Sequence, residues 1–374
     1  MPFFWIWIFI GMLLYGTGLF LIAYAFNRPN KRSSYLLQTT TGFSVIIPFR
    51  NEKRNLPGIL ASIKDLNYPP ECVEFIFCND HSTDESDGLP NIYSAKFNTH
   101  ILHLPEGKTG KKNALEMGIA CAKFPYVITT DADCVFPPGW LNGFDEEIQR
   151  TQAVLLTGPV VYTVQSKQWV QSYQQLENAA LITIGAFLLQ KGIPAMANGA
   201  NLCFSRQAFI DCNGYEGNRH IASGDDAFLL EKMHEKYPGK VHFLHNQASM
   251  VSTPVQQNWS AFIQQRRRWA AKVRFQANNS AFLGQLIFLH YCLLMVFLFF
   301  WYALHLKLHM AAMILGMKVT SDLLFFALIL PFFRLQFSWV MILRASLLQP
   351  ILVPLIAVLS LAGKFEWKDR KYRR

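Results

Sequence analysis

The chain has 374 residues, 51% of them hydrophobic, with 31 Phe, 9 Trp and a formal net charge of +10. That is too apolar for an ordinary soluble enzyme. The 7 Cys are an odd number, with no Cys-x-x-Cys pair and no His/Cys cluster at zinc spacing, so reduced thiols in a cytoplasmic compartment are the simplest account.

Phe3 to Phe26 carries no charged side chain. It exceeds the roughly 20 apolar residues a membrane helix needs. Ala23-Tyr24-Ala25 resembles a signal cleavage site, but the run is longer than a signal's apolar region and no basic residue precedes it. A membrane helix over 1–27 is therefore expected. Arg28, Lys31 and Arg32 open a basic linker over 28–42. The bias of such residues toward the inner face puts the central domain in the cytoplasm.

The middle, 43–280, is mixed in composition and long enough for one domain. FSVIIPF (Phe43 to Phe49) reads as a buried strand. NLPGILASIKDLN spaces Leu56, Ile59, Leu60, Ile63 and Leu66 as a helix, with Pro57 in its first turn. VEFIFCND is a second strand, TGKKNALEMGIACAKF a second helix and YVITTDAD a third strand. This alternation predicts an α/β domain with a parallel sheet covered on both faces, and ligands bind such sheets outside the carboxyl ends of the strands.

Three polar clusters fall at that edge: Pro48 to Glu52, Cys78 to Ser86, and Asp131 to Asp133. An isolated Asp-x-Asp is ordinary turn chemistry. Two carboxylates leaving a strand beside two other polar clusters instead point to a hard divalent cation that keeps some waters and bridges phosphate oxygens.

ANGANLCFSR (Ala197 to Arg206), ASGDDAFLL (Ala222 to Leu230) and QQRRRW (Gln264 to Trp269) come next. Together with the earlier clusters, in this order, they resemble the membrane-bound inverting glycosyltransferases of family 2, which have the nucleotide-sugar-binding GT-A fold. Cellulose, hyaluronan and poly-N-acetylglucosamine synthases and ceramide glucosyltransferase are of this kind. The resemblance implies Mg2+ or Mn2+ as cofactor, with Asp133 as direct ligand and Asp131 near the ribose or sugar and the metal. It puts the donor among Pro48, Arg50, Glu52, Asp80, Lys108, Asp131 and Arg268, with Asp80 on the base and Arg268 on the diphosphate. The family's usual Asp-Asp pair is Asn79-Asp80 here, which loosens the inference about the base. For Lys108 the alternative is a solvated loop lysine.

The resemblance makes Asp226 the general base, with Asp225 beside it. Adjacent carboxylates raise the proton affinity of one of the two. The alternative is an N-capping pair, and both hold if Asp225 caps and Asp226 reacts. Asn198, Gly199, Gln265 and Trp269 are the acceptor side, against a plain turn for the first two. Arg266 and Arg267 are assigned to a basic patch facing anionic lipid. KQWVQSYQQLENAALITIGAFLLQ (Lys167 to Gln190) is a core helix or one lying along a membrane surface.

Ala281 to Leu304, Met310 to Phe333 and Ser338 to Gly363 give about three apolar segments over 281–363, before a basic tail over 364–374. The last contains Arg344, Pro350 and Pro354 and is expected to be the weakest helix, lying in the interface or dipping in and returning so that the tail stays inside. Lys318 and Asp322 share a helix face and are expected to pair, with a lipid-acceptor path as the alternative.

The resulting expectation is a multi-pass inner-membrane enzyme with a cytoplasmic catalytic domain. It moves a sugar, with inversion, from a nucleotide donor, expected to be a UDP-sugar, to a lipid or lipid-linked acceptor. Nucleic acid is not an expected partner. A processive polysaccharide synthase is the alternative. A dead transferase scaffold would lack Asp133 or Asp226, and a transporter would show repeats.

Overall fold

The computed structural model describes residues 2–28, 40–90, 96–166, 168–217, 224–273, 288–295, 308–361, 365–367 and 370–372. Lys31, Arg32, most of the run 281–304 and parts of the tail lie outside them. The chain divides into two compact units. One comprises Lys31–Thr163 and Leu188–Pro254, the other Met1–Asn30, Val164–Phe187 and Val255–Arg374.

The first unit is built on a seven-stranded sheet. Its strands are β1 (Phe43–Phe49), β2 (Val73–Asn79), β3 (Asn98–His103), β4 (Tyr126–Thr129), β5 (Leu155–Thr157), β7 (Leu202–Ser205) and β8 (Val241–Phe243), in the order β3-β2-β1-β4-β7-β5-β8. β1, β2, β3 and β4 run parallel, with Ile46 opposite Ile76 and Thr129. The sheet is not parallel throughout, because β7 enters antiparallel between β4 and β5. The edge strand β3 is a further addition. Its sequence NTHILH is half exposed and lacks the continuous apolar run that marks its buried neighbours. A separate parallel pair joins β6 (Val160–Thr163) to β9 (Val251–Pro254).

The helices of this unit are α2 (Leu56–Lys64), α3 (Lys111–Cys121), α4 (Trp140–Thr151), α6 (Arg206–Asp211) and α7 (Asp225–Lys236). One core cluster unites sheet and helices through Ile46, Ile76, Leu115, Val127, Phe204 and Leu229, all essentially inaccessible. Each such side chain contributes roughly 1.5–3 kcal/mol on burial. That rigid base fixes the carboxyl edge of β1, β2 and β4, where all three polar clusters emerge.

The second unit holds α1 (Pro2–Asn27), α8 (Trp259–Val273), α9 (Leu308–Ile329), α10 (Trp339–Leu361) and the greater part of α5 (Trp169–Gln190). Among the described residues three helices are long and apolar enough to cross a membrane: Phe9–Asn27, Ala311–Ile329 and Trp339–Ser360. The last stays one continuous helix through Pro350 and Pro354. α1 and α9 approach closely at Gly16, where a Cβ would come within 2.6 Å of Ser321 Oγ.

Lys318 and Asp322 do pair, at 2.7 Å, with side chains 1% and 5% exposed. Tyr15 donates to Asp322 at 2.6 Å, Lys318 donates to Ser346 at 3.2 Å, and the Ser346 hydroxyl closes the ring on Asp322. A buried charge is tolerated when paired and hydrogen-bonded in this way. The network ties α1, α9 and α10 together at one level.

Candidate active site

The carboxyl edge of the sheet gathers its polar residues through short bonds. β1 hands over to β2 where Arg50 Nη1 donates to the Asp80 carbonyl at 3.1 Å and the Asp80 amide donates to Phe49 O at 2.9 Å. The Asp80 carboxylate then accepts from the Gly110 amide at 3.0 Å, at the entrance to α3. Asn79 is occupied locally: its amide lies 3.1 Å from His103 Nδ1 and its carbonyl accepts from the Ser82 amide at 2.9 Å. Glu52 accepts from the Asn55 amide at 2.6 Å in the turn before α2.

α3 begins with Lys111, and this residue is the centre of the cluster. Its Nζ lies 2.6 Å from Asp131 Oδ1 and 3.9 Å from Asp225 Oδ2. Burial opposes its charge, but Asp131, Asp225 and Asp226 outweigh that and raise its affinity for the proton above the ordinary lysine range. Lys111 therefore stays cationic at neutral pH, and its stabilising contribution is lost only as pH rises through that raised value. It does not serve as a base. Sequence reasoning chose Lys108 for the donor; Lys108 is exposed, and its carbonyl is 3.0 Å from His81 Nε2. The signal available for Lys111 was its place at the first turn of a helix beginning at the ligand-facing edge.

Asp225 and Asp226 occupy the first turn of α7, where the helix dipole favours negative charge. The expected cap is corrected: Gly224 takes that position with φ of 88°, a conformation costly for a residue with a Cβ, while Asp226 Oδ1 accepts from the Ala227 amide at 2.7 Å within the first turn. Asp226 Oδ2 instead accepts from the Gly199 amide at 3.1 Å. Thr129 Oγ1, at the end of β4, donates to the Gly199 carbonyl at 2.8 Å. The turn carrying Asn198 and Gly199 thus joins the β4 end to the start of α7.

Asp131 and Asp133 come directly after β4, both half-buried, Asp131 with 40% of its side chain accessible. No group of three His, Cys, Asp or Glu able to hold a metal occurs among the described residues. A hard cation such as Mg2+ is commonly held by one or two carboxylates plus waters and phosphate oxygens. The all-oxygen pair fits that arrangement, not a closed protein cage.

Gln265, Arg268 and Trp269 lie on α8, in the other compact unit, and all three are half-buried. The assignment of Arg266 to a lipid-facing patch is overturned. Its side chain is 6% exposed and paired with Glu177 of α5 at 2.7 Å, because a planar guanidinium can be both ion-paired and stacked inside a helix interface. Arg267 donates to the Leu359 carbonyl at 3.1 Å.

Residues 44–212 match the sequence profile of Glycosyl transferase family 2. The poly-β-1,6-N-acetyl-D-glucosamine synthase of Staphylococcus epidermidis is 35% identical over 99 residues, 26% of this chain and 23% of that one. The probable glycosyltransferase YdaM of Bacillus subtilis is 32% identical over 93 residues, 24% of this chain and 22% of that one. The chain thus spans less than a quarter of the length of these curated relatives in the matched region. Among solved structures, the mannosyltransferase PcManGT of Pyrobaculum calidifontis, in complex with GDP-Man and Mn2+, has a TM-score of 0.51 at 16% identity, covering 92% of this chain and 98% of that one. At that identity the likeness is one of fold.

Proposed function

We propose that this chain, whose residues 44–212 match the glycosyltransferase family 2 profile, transfers a sugar with inversion from a nucleotide diphosphate sugar to a lipid or lipid-linked acceptor at a membrane. The observation that carries the reading is the convergence of Asp131, Asp225 and Asp226 on one half-buried lysine at the ligand-binding edge of the sheet. A site of this kind can manage a leaving diphosphate and an acceptor proton together.

In the proposed reaction Asp226 takes the proton of the acceptor hydroxyl. The hydroxyl oxygen bonds to the anomeric carbon from the face opposite the diphosphate, and the bond from that carbon to the diphosphate oxygen breaks with its electron pair. Asp80, Arg50 and the backbone at Pro48 hold the nucleotide. Lys111 offsets the charge that grows on the leaving group, and the resemblance to family 2 transferases gives Arg268 a part on the diphosphate. A divalent ion held by Asp131 and Asp133 would add to that neutralisation when bound. Asn198 and Gly199 allow close backbone approach to the acceptor beside Asp226.

The membrane part of the reading rests on the three apolar helices. α8 carries Gln265, Arg268 and Trp269 in the same compact unit as those helices, so an acceptor anchored in lipid is favoured. An amphipathic indole suits a boundary between water and lipid. Trp269→Ala is expected to impair transfer to a bacterial total-lipid extract far more than UDP or GDP binding, and Arg268→Ala is expected to weaken nucleotide binding through the lost phosphate contact. Binding and transfer measured separately on both variants decide it. Equal loss of nucleotide binding in the two would return Trp269 to a packing role.

A further inference from the structure

α5 and α8 meet along two matched stripes. Trp169, Tyr173 and Glu177 are spaced by four on α5, and Trp259, Phe262, Arg266 and Trp269 by three, four and three on α8, so each set lies on one helix face. The rungs are ordered. The rings of Trp169 and Trp259 are 4.8 Å apart and those of Tyr173 and Phe262 5.7 Å apart. Next comes Arg266, whose Nε donates to Glu177 Oε2 at 2.9 Å while Nη2 lies 2.7 Å from the same oxygen. Phe262 and Tyr173 are 0% and 2% exposed, and Arg266 only 5%.

A charged rung in an aromatic seam is not explained by stability. A buried ion pair is often no better than apolar residues of similar volume. What the charge adds is a plane: the Arg266 guanidinium carbon lies 4.1 Å from the centroid of the Trp269 ring and 4.9 Å from that of Phe262. Gln265 accepts from Arg266 Nη1 at 3.1 Å, so the guanidinium also engages the residue before it. One face of Trp269 is thereby stacked on a cation that Glu177 holds in place, while the indole remains half-buried.

We propose that Glu177 and Arg266 are positioning residues for the acceptor: Glu177 orients the guanidinium, and the guanidinium sets the plane of Trp269. This rests on the reading that Trp269 borders the acceptor opening, and the experiment separates the two. The purified full chain in detergent is given UDP-glucose, UDP-N-acetylglucosamine and GDP-mannose as donors and a bacterial total-lipid extract as acceptor. Half-saturating lipid concentration, UDP and GDP affinity, and thermal unfolding are measured for each variant.

Arg266→Lys keeps the charge but offers no plane. It is expected to raise the half-saturating lipid concentration about tenfold, as loss of the guanidinium plane stacked on the indole would, with nucleotide affinity unchanged within about twofold. The double replacement Glu177→Leu with Arg266→Met refills the seam. It is expected to unfold near the wild-type temperature yet keep the acceptor defect, which a merely structural pair would not do. No turnover by the unaltered chain, or a Trp269→Ala variant with normal lipid saturation, would overturn the acceptor reading itself. A Trp269-dependent enzyme in which Arg266→Lys saturates normally, or in which the double replacement restores saturation, would overturn the positioning role.

Discussion

Asp226→Asn is expected to lower sugar transfer by about 100-fold or more, the usual scale of a general base, while nucleotide affinity stays within about twofold. The substitution keeps the shape of the side chain and one acceptor oxygen, which can still take the Gly199 amide at the cost of the bond from the Ala227 amide. What it removes is the capacity to receive a proton at neutral pH. Lys111 cannot substitute, since its neighbouring carboxylates hold it in the protonated form. Asp225 is the carboxylate adjacent in the chain, but its side chain is 12% exposed and lies 3.9 Å from the Lys111 ammonium. Transfer is measured by nucleoside diphosphate release with lipid acceptor, and binding by calorimetry with the nucleotide alone. Should transfer survive while nucleotide binding vanishes, Asp226 belongs to the donor side and the assignment is wrong.

The second large effect is on metal. Excess chelator is expected to reduce turnover to background, and added Mg2+ or Mn2+ to restore it. Asp133→Asn is expected to reproduce the loss at saturating metal without lowering the unfolding temperature. A departing nucleoside diphosphate develops charge that one lysine offsets only partly, and hard cations supply the rest in sites with paired carboxylates. Asp131 already shares an oxygen with Lys111 at 2.6 Å, so Asp133 is the more informative position to neutralise. Full turnover in excess chelator would assign the neutralisation to basic side chains alone and remove the metal from the account.

Much of the fold was legible because apolar runs report buried strands directly. β1, β2 and β4 stand where FSVIIPF, VEFIFCN and YVIT put them, and their shared direction brings three polar clusters to one edge. β3 was not legible, since a half-exposed edge strand leaves little pattern. Nor was the reversal of β7, which depends on how the chain returns through 188–201 and not on the composition of LCFS. At the site, carboxylates were easier to find than their partner. Lys111 and Lys112 are adjacent in sequence, yet only the geometry separates Lys111, which faces Asp131, from Lys112, whose ammonium lies 5.6 Å from the Phe228 ring centroid. Arg266, Arg267 and Arg268 posed the same difficulty, because successive residues on a helix face different surroundings.

The most direct test of the central claim is to supply the detergent-purified chain with isotope-labelled UDP- and GDP-sugars, Mg2+ and a bacterial total-lipid extract, then analyse the lipid fraction by mass spectrometry and the new glycosidic bond by NMR. The account predicts a lipid that gains a labelled sugar whose anomeric configuration is opposite to that of the donor. Label confined to free sugar or to a water-soluble polymer, or retention of the donor's configuration, would contradict it.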